Sequence, residues 1–396
     1  MTYPDKWDVK RFEDIADVIT GTTPSKKNTE YYGGGIPFVT PSDLDSGKPV
    51  ASSSNTLTEL GVTKARLLPK GAVLVCCIGA TIGKTGIAGT ELTTNQQINS
   101  LACNREIAHP EYVYQYVRTL KSSLKHISSS TTIPIVNKSR FKKIKVPLPP
   151  LPEQRRIAAI LDKADELRTK RKAALDKLDA LLESIFLDMF GDPVTNPKGW
   201  DTKLMSELIC EGPQNGLYRP ASDYGNGTPI IRIDSFYAGK ITRLKDLKRV
   251  NIPPKLQDKY RVHENDILIN RVNSPEYLGK SAIIPSLREL TVFESNMMRL
   301  GVNQKVILPH YLVALMQHDY IRMQILKCSK DAVNQSSINQ TDIKSFEIRL
   351  PPLELQKEFI RVQSRFENLR TQQQSMLKIL DNLFHSLQQR AFRGEL

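Results

Sequence analysis

One stretch occurs twice in this chain, and it limits the folds open to the rest. The first copy opens Leu148-Pro149-Pro150-Leu151-Pro152-Glu153-Gln154 and runs to Phe190-Gly191-Asp192-Pro193. The second opens Leu350-Pro351-Pro352-Leu353-Glu354-Leu355-Gln356 and runs to Leu396, at a constant offset of 202 residues. Each is a proline-rich turn followed by a long apolar pattern without internal proline or glycine, which spells a helix. Gly191 followed by Pro193 is a helix stop signal.

Within each copy the pattern advances by alternating steps of three and four. The positions are Ile157, Ile160, Ala164, Leu167, Arg171, Ala174, Leu178, Leu181 and Ile185 in the first. In the second they are Phe359, Val362, Phe366, Leu369, Gln373, Met376, Leu380, Leu383 and Leu387. This is the a/d seam of a coiled coil over about four heptads. Each seam has one polar break at its midpoint, Arg171 or Gln373. In an antiparallel pair the two breaks meet, and such a layer sets register at a cost in stability. The plainer reading is a long side chain reaching solvent from a helix edge. An antiparallel pair also suits the connectivity. The chain between the helices is long enough for one domain, and this arrangement places the large segments at opposite ends of the pair.

The expected organisation is therefore a globular segment at 1–147, a helix at 148–193, a second globular segment at 194–349 and a second helix at 350–396. The two globular segments resemble each other. Trp7 and Trp200 occupy like positions, and Gly35-Ile36-Pro37-Phe38-Val39 parallels Gly227-Thr228-Pro229-Ile230-Ile231. Val73-Leu74-Val75 parallels Ile267-Leu268-Ile269, Gly83-Lys84-Thr85 parallels Gly279-Lys280-Ser281, and Asn137 matches Asn339. Short β-branched runs bounded by Gly, Pro, Asn or Ser read as strands: Ile36–Val39, Val73–Ile78, Ile144–Val146, Ile230–Ile233, Ile267–Ile269 and Phe346–Leu350. Pro110 and Pro309 each fit the first position of a helix. The fold class is α+β: a tandem duplication of two α/β domains separated by two long helices that form an antiparallel coiled coil with pseudo-two-fold symmetry.

Several function classes are disfavoured. No run of eighteen apolar residues exists to span a membrane, and Met1–Trp7 lacks the apolar core of a signal peptide. Five cysteines without CxxC or Cys/His spacing point to reduced thiols in a cytoplasm. The six histidines show no metal-ligand pattern. Gly79-Ala80-Thr81-Ile82-Gly83-Lys84-Thr85 is one residue short of a phosphate-binding P-loop, and its counterpart has Ser274 in place of the first glycine. No catalytic constellation stands out, so the chain reads as a binder. Two readings stay open beside it: a stand-alone nuclease or methyltransferase, and a coiled-coil scaffold without a DNA role.

The net charge of +14 lies mostly on the globular segments, which suits a polyanion touched at two places. Phosphates are met by Lys, Arg and hydroxyls, and base edges by Arg, Lys, Asn, Gln, Ser and Thr. The candidates are Lys26, Lys27, Ser42, Lys84, Thr85, Asn137, Lys138 and Arg140 in the first segment, with Asn28, Thr40, Ser129 and Thr131 beside them. In the second they are Tyr218, Arg219, Arg232, Asn270, Arg271, Asn273, Lys280, Asn334 and Gln335. Asn270-Arg271-Val272-Asn273, at a strand end, ranks highest.

The paired Pro-Pro-Leu openings, with Ile157-Ala158 and Phe359-Ile360 just after them, resemble the specificity subunit of type I restriction-modification systems over the whole chain. The second copy departs at Glu354-Leu355, where the first has Pro152-Glu153. The resemblance implies two target-recognition domains, each reading one half of a bipartite, asymmetric double-stranded DNA target, with the helices setting the gap. It implies two modification subunits carrying S-adenosylmethionine and restriction subunits carrying ATP and Mg chemistry, with no cofactor on this chain.

Overall fold

A computed structural model of the chain describes residues 7–45, 47, 49–128, 134–332 and 335–396. The two long helices are Leu151–Phe190 and Leu353–Phe392, 40 residues each. By their contacts the residues fall into two compact units. One holds the chain up to Asp176 together with Thr371–Leu396, and the other holds Lys177–Arg370. Each unit thus contains one globule and a portion of both helices.

The repeated opening has a physical cause. Gln154 and Gln356 are buried at the start of their helices. The Gln154 side chain accepts from the His109 N–H (2.8 Å) and donates to the Ile107 and Pro149 carbonyls (3.0 and 2.8 Å). Gln356 accepts from the Leu308 N–H (2.8 Å) and donates to the Val306 and Pro351 carbonyls (3.3 and 2.9 Å). One amide thus satisfies three backbone groups, of which the buried proline carbonyl would otherwise cost about 1–3 kcal/mol, and it ties each helix to its own globule. Tyr112 and Tyr311 add a second tie, donating to Pro147 O (2.7 Å) and Arg349 O (2.8 Å).

In the first unit, strands Ala16–Thr20, Ile98–Cys103, Val73–Cys76 and Thr85–Ile87 form an antiparallel sheet in that order. Tyr32–Val39 pairs with Thr56–Leu57 and Thr93–Thr94, and Asp8–Arg11 pairs with Lys145–Leu148, bringing the ends of the globule together. Pro110 opens the helix Pro110–Thr119, whose Tyr112, Val113, Tyr116 and Val117 enter a core shared with Ile157, Leu161, Phe384 and Phe392. The Phe392 ring lies 5.5 Å from Tyr112 and 5.1 Å from Tyr116.

The second unit repeats the plan with more strands. A six-stranded sheet runs Ile209–Asn215, Met297–Val302, Ile267–Asn270, Ser281–Ile283, Gly239–Ile241, Phe236–Tyr237. Asp201–Leu204 pairs with Glu347–Leu350, matching the terminal pair of the first globule. The helix Pro309–Leu315 packs into a core with Phe186, Phe190 and Phe359. Phe186 lies 4.9 Å from Phe190, 5.4 Å from Phe359 and 4.2 Å from the His318 ring.

Contacts between the helices within the first unit run antiparallel: Arg156 donates to Leu396 O (2.7 Å), Arg168 to Asp381 (2.7 Å) and Arg171 to Gln373. The two polar breaks do meet. The seam is otherwise corrected in phase. Ile157, Ala164, Arg171, Leu178 and Ile185 are buried or half-buried, as are Phe359, Phe366, Gln373, Leu380 and Leu387. The alternate positions behave differently. Leu167, Ala174, Leu181, Leu369, Met376 and Leu383 are exposed, and Ile160 and Val362 only half-buried. Their places are taken by the next residues along: Leu161, Arg168, Leu175 and Leu182 on one helix, Gln363, Arg370, Leu377 and Phe384 on the other. At about 100° per residue, that moves the centre of each buried stripe by about 50°. The cause is the globule, because each helix must cover its own globule as well as pair with its partner.

Candidate DNA interface

Arg168 shows how the helices hold the first globule. Arg118 from the globule grips Asp165 through two nitrogens (2.7 and 3.2 Å), Arg168 donates to both Asp165 and Asp381 (2.7 Å each), and both guanidiniums lie against the Phe384 ring (5.1 and 4.4 Å). These residues line a cleft of about 630 Å³. Their charges are spent on one another, which makes the cleft a brace rather than a reading surface.

The glycine-lysine turns sit between antiparallel strands, not at a helix start. The Gly83 N–H donates to Cys76 O and the Gly279 N–H to Asn270 O, both at 2.9 Å, so these amides are spent on the ladder rather than turned toward a phosphate. Thr85 is buried, with its N–H on Asp45 (2.8 Å), which removes it as a contact. Lys84 donates to Pro41 O (3.2 Å). Asn137 is a helix cap, its side chain accepting from the Arg140 N–H (2.9 Å), and Asn339 caps the equivalent helix through the Thr341 and Asp342 N–H groups (2.8 and 3.1 Å). That role, not base contact, explains their matched positions. Arg140 donates to Ile127 O (3.0 Å).

The exposed candidates among the described residues of the first globule are Lys26, Lys27, Asn28, Ser42, Asn137, Lys138 and Arg140. Ser42 and Thr40 share a 2.7 Å hydrogen bond. Ser129 and Thr131 lie outside the described residues. Partial burial, then Lys142 and Arg66, hold the Lys138 ammonium below its usual pKa. The structure thus groups Arg66, Lys138 and Lys142 into a basic cluster whose first and third members sequence reasoning missed.

In the second globule the highest-ranked run is corrected. Asn270 is fully buried and presents no surface to DNA, because it points to the same sheet face as core residue Leu268. Arg271 donates to Ser295 O (3.2 Å), and Asn273 accepts from the Ser274 N–H (2.9 Å). Arg232 is held by Glu294 (3.1 Å) beside the Tyr224 ring (5.7 Å), and Arg219 by Asp223 (3.4 Å). Gln335 begins a strand that pairs with Val272–Asn273 and Lys330–Ala332. Asn334 lies outside the described residues. Tyr218 stands 77% exposed. Lys280 is surrounded by the Phe236, Tyr237 and Tyr277 rings at 5.2, 5.0 and 5.6 Å. Its desolvation lowers its pKa, with Asp234 opposing. Tyr237 and Tyr277 carried no signal of their own in the sequence.

Among the described residues no cluster of His, Cys, Asp and Glu is arranged to hold a metal, and no helix is long and apolar enough to cross a membrane. The family model described as type I restriction modification DNA specificity domain matches residues 4–177 and again 197–388. The chain belongs to this family. It carries the domain twice, which is the duplication expected from the repeated helices. Among similar proteins, the MjaIX specificity subunit of Methanocaldococcus jannaschii is 27% identical, over 99% of this chain and 94% of its own length. The EcoKI specificity subunit of Escherichia coli is 26% identical over 70% of this chain and 63% of its own. Of solved structures, one described as a type I R-M system in complex assembly and conformational transition has a TM-score of 0.61 at 20% identity, covering all of both chains. The type I restriction-modification S subunit from M. genitalium has a TM-score of 0.58 at 14% identity, over 99% of this chain and 98% of that one. At these identities the structures support the fold. Within such a family this chain is a non-catalytic, DNA-recognising specificity subunit.

Proposed function

We propose that each globule reads one half of a bipartite, asymmetric DNA duplex, that the helices set the gap between the halves, and that the helices also dock the modification subunits. The observation that carries this is one frame used twice with unlike faces. The glutamine ties, tyrosine ties, terminal strand pairs and glycine-lysine turns are duplicated. At the matching glycine-lysine turn, by contrast, Lys84 of the first globule donates to Pro41 O, whereas Lys280 of the second stands among the Phe236, Tyr237 and Tyr277 rings. A shared frame with differing faces suits two different half-sites.

The exposed apolar positions supply the second half of the reading. Leu167, Leu181, Leu369, Met376 and Leu383, each 45–49% exposed, recur at spacings of seven or fourteen residues along the two helices. A partner helix laid on such a line buries apolar area without disturbing the existing seam. We assign it to the modification subunits, which would bring S-adenosylmethionine, while restriction subunits would bring ATP and Mg. Mapping methylated adenines in DNA from cells carrying the chain with its partners tests the reading. The expected result is a split motif with two unlike halves. A contiguous motif, or methylation by this chain alone, would overturn it.

A further inference from the structure

The Lys280 ammonium is confined by three rings yet makes no hydrogen bond or ion pair among the described residues. Phe236, 1% exposed, is the floor, while Tyr237 and Tyr277 stand 65% and 50% exposed around it. The enclosure is built by the fold. Tyr277 and Lys280 are joined by a tight turn, the Lys280 N–H on Tyr277 O at 3.3 Å. Its Gly279 has φ +75°, and a Cβ there would meet Ile325 Cδ1 at 2.1 Å, so only glycine closes the turn. Phe236 and Tyr237 come from the far edge strand of the same sheet.

A second observation marks the place. The Asn270 N–H donates to Lys280 O (2.8 Å), next to the register pair Ile269–Ser281, so Asn270 and Lys280 face each other across an antiparallel ladder and share one side of the sheet. Neither side-chain atom of Asn270, though buried, has a hydrogen-bond partner among the described residues. A buried amide left unspent lowers stability, so this end of the sheet is not optimised for packing alone. The first globule differs at the same turn, where Lys84 donates a hydrogen bond to Pro41 O.

We propose that Lys280 is a base-reading residue, its ring-held ammonium donating to the O6/N7 acceptor pair of a guanine in the half-site read by the second globule. This rests on the reading of that globule as a DNA reader. A phosphate contact needs only a positive charge on a flexible stem, and immobilising it gains nothing in selectivity. A base contact needs donors held in place and already stripped of part of their water, which is what ring faces do for an ammonium. Lysine on guanine O6/N7 is a pairing that the major groove makes unambiguous.

The test uses the full chain with its modification subunits and the map of methylated adenines. Lys280→Met should relax discrimination at one position of one half-site by about ten-fold or more, while Lys280→Arg retains it. The double variant Tyr237→Leu/Tyr277→Leu, at exposed positions, keeps the lysine and frees it; it should relax the same position. Uniform loss at every site in Lys280→Met, with the tyrosine variant unchanged, would make Lys280 a phosphate contact and overturn the proposal, as would an unaltered motif in both. Absence of any split motif from the wild-type chain would instead overturn the underlying reading of the globule.

Discussion

Lengthening both helices by one heptad at the Arg171–Gln373 layer separates length from phase. The buried stripe repeats as four plus three residues on each helix, so a matched insertion of seven keeps every seam position facing inward, with a drift of about 20°. It adds about 10 Å at 1.5 Å per residue, close to three base pairs at 3.4 Å each. A matched insertion of two residues adds only about 3 Å but turns the stripe by about 200°. That leaves the stripe beyond the insertion, Leu175, Leu178 and Leu182 on one helix and Phe366 and Arg370 on the other, out of phase with Leu161, Arg168 and Phe384 before it. The assay is the methylated-adenine map together with thermal unfolding. The seven-residue variant should melt near the parent and methylate a motif with the same half-sites and a gap two to three base pairs longer. The two-residue variant should lose stability and methylation together. An unchanged gap in a stable seven-residue variant would refute the helices as the ruler.

Three further outcomes are expected. Leu167→Lys with Leu369→Lys should shift stability by no more than about 0.5 kcal/mol, since both residues are 45% exposed, yet abolish co-purification with the modification subunits. Asn137→Ala should cost about 1 kcal/mol in denaturant unfolding by removing a helix cap, and leave the methylated motif unchanged. His318, stacked on Phe186, has its pKa lowered by burial, with Glu183, Asp319 and Asp192 opposing; His310 is lowered too, by burial and Lys240, with Glu367 opposing. With the folded pKa below the unfolded one, the unfolded chain binds more protons between the two, so stability drops as pH falls below about 6.5. His318→Phe should flatten part of that slope in melts taken across this range.

How much of the fold was legible depends on how local its cause is. The helices and their duplication stood out because a proline-rich turn and a forty-residue pattern carry their own evidence. The meeting of Arg171 and Gln373 was legible too, because a single polar break in each seam has one symmetric partner. The phase of the seam was not. Adjacent residues compete for each inner position: Leu167 against Arg168, Leu369 against Arg370. On polarity alone the leucines win. Arg168 turns inward because Asp165, Asp381 and the Phe384 ring together satisfy a guanidinium there, and two of those three come from the other helix, more than two hundred residues away.

The candidate contacts follow from side-chain chemistry in the sequence, but their surroundings do not. Arginine, lysine and asparagine at loops and strand ends are the residue types that DNA chemistry selects, yet structural duties claim several of them. Asn137 caps a helix, Arg271 holds a carbonyl, and Arg232 is paired with Glu294. The placement of Asn270 could have been read from the period of two, because it shares a face with Leu268 and so points into the core. No such rule reaches Lys280. Its environment is made by Phe236 and Tyr237, which lie more than forty residues before it and on another strand, and by Tyr277, which a glycine-dependent turn folds back over it. In the first globule the same Gly-Lys dipeptide without those rings leaves its lysine on a backbone carbonyl. At this turn the neighbours therefore decide whether a lysine's donors are spent or kept.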